Sequence, residues 1–92
     1  MSLKPKQFTR SKKIAWQKVE EKYVLVTPGT KKIHILSGSG GSLWEFLAQP
    51  REQGALVDHL CDEYDVGREQ AGMDIEQFIN QLAREEIVEI KN

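Results

Sequence analysis

The chain has 92 residues, 29% of them charged, with a formal net charge of −1 and a single cysteine. That length supports one domain with one core that folds without staples. A lone cysteine excludes an internal disulfide scaffold, and no apolar run approaches the ~20 residues of a membrane span.

The charge is unevenly spread. Residues 1–32 carry nine Lys/Arg and two acids, whereas residues 33–92 carry four Lys/Arg and twelve acids. Such asymmetry marks either an interaction surface or two solvated faces of one domain.

Met1 to Lys13 is basic and polar, without the apolar segment of a signal peptide, so cytoplasm is the expected compartment. Pro5 discourages a helix. Residues 1–8 are predicted to form a flexible arm, with Phe8 placed to close onto the sheet, and residues 9–92 the folded domain.

Ile14 to Val19 alternates, with Ile14 and Trp16 on one face and Ala15, Gln17 and Val19 on the other. Tyr23 to Thr27 is dense in aromatic and β-branched residues and reads as the clearest strand. Pro28-Gly29-Thr30-Lys31 is a turn signal, Pro28 presetting φ and Gly29 permitting φ > 0. Lys32 to Leu36 forms a third strand. Short connections predict an antiparallel meander of the three.

Ser37 to Gly41 breaks the pattern and reads as a strand-to-helix hinge. Ser42-Leu43-Trp44-Glu45 fits a capping box that opens a helix running to Ala48. A second helix is expected over Glu52–Tyr64, with Leu56, Leu60 and Tyr64 at i, i+4, i+8 and Val57 and Cys61 beside them. The third, Arg68–Glu86, is the most periodic, with Ala71, Ile75, Phe78, Ile79 and Leu82 in one stripe. Ile87 to Ile90 closes the chain as an extended tail or short strand. The fold class expected is α+β: a winged-helix-like domain, with a three-stranded antiparallel sheet followed by three helices that cover its bare face.

No constellation for catalysis emerges. His59 shares a helix face with Glu63, but two ligands make a poor metal site, and no C-x-x-C or H-E-x-x-H occurs. Cys61 on the apolar side of its helix reads as a core residue, with no base beside it. The glycine-rich stretch lacks the lysine of a phosphate loop, and Leu43 stands where a dinucleotide fingerprint needs its third glycine. Neither a metal nor a cofactor is expected. Winged-helix domains often bind DNA, but the third helix carries Glu69, Asp74, Glu76, Glu85 and Glu86 against Arg68 and Arg84. That balance opposes phosphate contact and disfavours a nucleic-acid partner. A homodimer that pairs sheet edges is a third reading.

Ile14-Ala15-Trp16, the strand Tyr23 to Thr27, and Ile33-His34-Ile35-Leu36 leading to Ser42-Leu43-Trp44-Glu45 together resemble the PqqD-like pattern. His59-Leu60, Tyr64-Asp65-Val66, Asp74-Ile75 with Phe78 and Leu82, and the closing Ile87-Val88 are similar to that family's later elements. The likeness covers residues 9–90. Ser37 replaces the family's common Asn, and Ala48-Gln49-Pro50 replaces its Asp-Gly turn. The resemblance implies a recognition element that carries no cofactor. It would bind the leader segment of a ribosomally made precursor peptide and deliver it to a modifying enzyme, often a radical S-adenosylmethionine enzyme. In the best-known case the product is pyrroloquinoline quinone.

In a three-strand meander the third strand can leave one edge unpaired, and a free edge templates another strand. The resemblance implies β-augmentation there. The backbone of Lys32, Ile33, His34, Ile35 and Leu36 would pair with the leader. Ile75, Phe78, Ile79 and Leu82 are the candidate groove residues on the third helix, with core packing as the alternative for each.

Overall fold

The computed structural model describes residues 6–91. The strands are β1 (Gln7–Arg10), β2 (Ala15–Val19), β3 (Lys22–Val26), β4 (Ile33–Leu36), β5 (Arg51–Glu52) and β6 (Val88–Lys91). The helices are α1 (Ser39–Phe46), α2 (Gln53–Glu63) and α3 (Arg68–Arg84). The expected α+β meander and its three helices are present.

The strands form two sheets. β2, β3 and β4 make the antiparallel meander in that order, with Trp16 opposite Leu25 and Leu25 opposite His34. The second sheet has the order β5-β1-β6, with Gln7 opposite Lys91 and Phe8 opposite both Arg51 and Ile90. This second sheet departs from the sequence reading. The boundary drawn after residue 8 falls inside β1, and Phe8 closes onto β5 and β6 rather than onto the meander. Four residues are too few to display a period, and their partners lie in mid-chain (β5) and at the far end (β6). Of the predicted arm, residues 1–5 lie outside the described residues.

One core serves both sheets. Leu25, Trp44, Leu47, Leu56, Ile75 and Ile87 are its largest fully buried side chains. The β5-β1-β6 sheet is pinned to the helices by polar contacts as well. The Thr9 hydroxyl and the Arg10 amide both donate to the carbonyl of Leu47, the residue that caps α1, each at 3.2 Å. Arg10 lies 4.9 Å from the Trp16 ring centre and 4.7 Å from that of Trp44, and its Nε donates to the Trp44 carbonyl at 2.8 Å. A guanidinium set in the corner of two edge-to-face indoles, 6.1 Å apart, gains cation–π attraction from each. Through it β1 grips the meander and α1 together.

Two local readings are corrected. The turn between β3 and β4 takes its positive φ at Lys31 (57°), not at Gly29. Hydrogen bonds from the Lys31 amide to the Thr27 carbonyl, 2.7 Å, and from the Lys32 amide to the Thr27 hydroxyl, 3.2 Å, hold the lysine there. The second correction is to α1, which begins at Ser39, three residues before the expected capping box. Gly38 caps it with φ 57° and ψ −129°, and no side chain bonds the free amides. That backbone is one glycine reaches without steric cost. The glycine run is therefore the opening of a helix rather than a hinge.

Candidate functional site

The alternation of β4 sets its chemistry. His34 and Leu36 are half-buried, while Ile33 is 67% and Ile35 is 62% exposed. β4 pairs with β3 alone among the described strands, so its outer edge carries backbone donors and acceptors with no strand beside them. Every second amide and carbonyl of such a strand points away from its one neighbour.

α3 lies alongside this region. At one end of β4, Glu85 just beyond α3 sits 3.6 Å from the Lys32 ammonium and 3.9 Å from His34 Nε2. The latter is too long for a hydrogen bond, and His34 Nε2 is buried with no partner among the described residues. At the other end, Leu36 and Phe78 converge on Gly40, where a Cβ would lie 3.8 Å from Leu36 and 3.7 Å from Phe78. Beyond them opens a concavity of about 350 Å³. Gly40 and Leu43 of α1, Leu60 and Tyr64 at the end of α2, and Ile75 and Phe78 of α3 line it. A mostly apolar concavity of this volume has room for a bulky apolar side chain.

The predicted groove residues divide. Ile75 is fully buried, and Ile79 and Leu82 are almost so. The structure gives Ile79 and Leu82 to the core, because the stripe of α3 that looks widest in sequence is the one that packs the domain. Ile75 forms part of the concavity's floor. Phe78, on the edge of the stripe, is half-buried and reaches the surface between α3 and β4. Lys32 to Leu36 all lie on or beside the open strand.

Gly40, Leu43, Leu60, Tyr64 and Glu85 were not singled out for the site. Tyr64 shares the apolar stripe of α2 with Leu56 and Leu60 in sequence, and the structure leaves it 39% exposed at the helix end. Leu43, Leu60 and Glu85 read as ordinary helix residues, and Gly40 as part of a hinge, until the tertiary fold brings α1 and α3 together.

The residues of the expected capping box do other work. Ser42 Oγ shares a hydrogen with His59 Nε2 at 2.8 Å, and the His59 ring stacks on Phe46 at 4.3 Å, which fastens α1 to α2. Glu45 accepts a hydrogen bond from the Tyr23 hydroxyl and lies 3.4 Å from the Lys18 ammonium. Those contacts, the Tyr23 bond first, hold the Glu45 carboxyl below its ordinary pKa. Burial, and then the Glu45 bond, push the Tyr23 hydroxyl up. This cluster locks α1 against β3, and with it one wall of the concavity. No described helix is long and apolar enough to cross a membrane.

Comparison with known proteins agrees with this layout. No curated protein matches the chain. The solved structure of TbiB1 in complex with the TbiA(beta) leader peptide superposes with a TM-score of 0.80 at 26% identity, covering 88% of this chain and 94% of that one. The family model described as coenzyme PQQ synthesis protein D (PqqD) matches residues 22–88, from the first residue of β3 to the first of β6. With that match spanning well over half its length, the chain belongs to the PqqD family.

Proposed function

We propose that this chain is a non-catalytic module that captures the leader segment of a ribosomally made precursor peptide. It would do so by strand addition to β4, then present the peptide to a modifying enzyme of the radical S-adenosylmethionine class. The observation that carries the reading is the unpaired outer edge of β4 beside an apolar concavity reached past Leu36 and Phe78. The family and the likeness to a protein solved with a leader peptide support a peptide as the ligand.

A leader strand on this edge satisfies its backbone against β4 and alternates its side chains. Those facing α3 meet Phe78, and one bulky apolar side chain fills the concavity. Lys31 and Lys32 stand at the β3–β4 turn and Asp74 beside the concavity. An acidic residue at the turn end of the leader and a basic one at the other fit these charges. Ordering an extended peptide offsets much of its contact energy. Micromolar dissociation or tighter, about −8 kcal/mol, follows. The module contributes by tethering, which raises the effective concentration of the peptide's reactive part at the enzyme.

Isotope-labelled NMR titration with the leader peptides encoded beside this chain tests the reading. Saturable shifts at Lys32–Leu36 and at Phe78 are expected. Absence of shifts with every such peptide, or shifts that avoid β4, would overturn it.

A further inference from the structure

Glu85 stands between two bases and satisfies neither. Its Oε1 lies 3.6 Å from the Lys32 ammonium and its Oε2 lies 3.9 Å from His34 Nε2. Both gaps exceed the reach of a hydrogen bond. The His34 nitrogen is buried with no partner among the described residues, and a buried polar atom left so costs free energy. Glu85 also caps the C-terminal end of α3, where the helix macrodipole adds partial negative charge. A carboxylate in that position draws a cation, and Lys32 and His34 compete to supply it.

The groups around His34 set the terms of that competition. On its own strand the charged neighbour is Lys32. β3 places Leu25 directly opposite and Tyr23 one inner position along, and the Tyr23 hydroxyl is already bonded to Glu45. Trp16 of β2 lies beyond Leu25. From the end of α3, Glu85 is the one carboxylate within 4 Å among the described residues. Glu85 also lines a cavity at this end of the meander together with Lys13, Arg84, Glu86 and Glu89. With Lys12 in the β1–β2 connection and Lys31 in the β3–β4 turn, cations outnumber carboxylates here. Thr27 fixes the turn lysines by accepting from both of their amides. In the empty domain a proton on His34 adds to an excess of positive charge and is opposed, while a carboxylate from outside is attracted.

We propose that Lys32, Glu85 and His34 form a carboxylate subsite for the leader that takes up a proton as it fills. An aspartate or glutamate of the leader, placed at the turn end of β4, pairs with the Lys32 ammonium. Glu85, released from Lys32, turns to His34. The ring takes a proton from solvent and its Nε2–H donates to Glu85, closing the long contact. Only the imidazolium carries N–H on both nitrogens, so the bond no longer depends on the tautomer. One negative charge arrives with one proton, and the local charge is unchanged. This rests on the leader-capture reading and adds selectivity and a pH response to it. Because binding takes up a proton, affinity rises as pH falls through the range in which histidine titrates, well above the range of the leader's own carboxyl groups.

The test measures leader affinity of the full domain by calorimetry at about pH 6 and about pH 8. The probe is the leader peptide encoded beside this chain, with any histidine in it replaced by glutamine. Copies in which each acidic residue is changed in turn to its amide are measured alongside. Wild type should bind about fivefold tighter at the lower pH, with proton uptake read from buffers of different ionisation enthalpy. His34→Gln and Glu85→Gln should each lose that dependence, as should the peptide copy whose amide falls opposite Lys32. In the wild-type domain, the ring protons of His34 should move toward their imidazolium positions on leader addition at about pH 7. That reading decides the matter if a variant does not fold. Equal affinity at both pH values overturns the proposal and leaves leader capture standing. So does a dependence that survives His34→Gln, a His34 ring that stays neutral in the loaded domain, or a leader indifferent to the loss of every acid. A leader that binds at neither pH overturns the subsite and leader capture together.

Discussion

The β5-β1-β6 sheet joins opposite ends of the described chain, with Gln7 facing Lys91 and Arg10 facing Val88. The β2-β3-β4 sheet is a local meander whose partners are neighbours in sequence. In the first, β1 lies between two strands, Phe8 and Val88 are buried, and Thr9 and Arg10 bond to the carbonyls of α1 and the residue after it. In the second, an edge strand and a whole face carrying isoleucine and valine stay in water. The meander strands are the more apolar set, yet theirs is the sheet left open to water. One sheet closes the domain, while the other presents backbone and apolar surface outward. The difference lies in what each sheet is packed against, and it separates stability from binding.

That separation can be broken by experiment. Phe8→Ala should cost about 3–5 kcal/mol in urea unfolding, the range for deleting a buried phenylalanine. A loss below about 1 kcal/mol would remove the β5-β1-β6 sheet from the cooperative core. Gly38→Ala places a Cβ at φ 57°, ψ −129° where β4 passes into α1, and should cost about 1–3 kcal/mol. An unchanged melting temperature would mean that the helix start shifts to relieve the strain.

Proline scanning of β4 sharpens the comparison further. Neighbouring residues of a strand send their amides to opposite edges. Of His34→Pro and Ile35→Pro, one therefore breaks the ladder to β3 and lowers stability. The other removes an outward donor and should weaken leader binding more than about tenfold in a folded protein. If the folded variant binds leader like wild type, the free edge is not the site.

The smallest effect concerns pH. Glu45 has its folded pKa lowered by the Tyr23 hydroxyl and Lys18. Its contribution is fully present above the unfolded value of about 4.3 and is lost as pH falls through the folded pKa. Tyr23→Phe should flatten the acid side of the stability profile, read by thermal melts below about pH 5. An identical slope would place the acid sensitivity elsewhere.

Much of this was legible in the chain itself. Alternation fixed the faces of β2, β3 and β4, and the 3.6-residue period marked α2 and α3, because both patterns are written locally. The motifs from Ile14 to Val88 pointed to the family. The open edge at Lys32–Leu36 followed from the order of three short strands. Periodicity says which face is apolar, not what covers it. So Ile79 and Leu82 belong to the core and Phe78 to the surface by a rotation of one helix against its neighbours. Ser42 and Glu45 left a capping box for His59 and Tyr23 because the glycine at 38 lets α1 begin earlier.

The chain by itself determined the meander, the helices and the edge, since each depends on residues a few positions apart. Only the tertiary structure decided the β5-β1-β6 sheet, the concavity among α1, α2 and α3, and the bare outer face of the meander. Those depend on side chains up to 84 positions apart, as in Gln7 facing Lys91, and no local pattern encodes which of them meet.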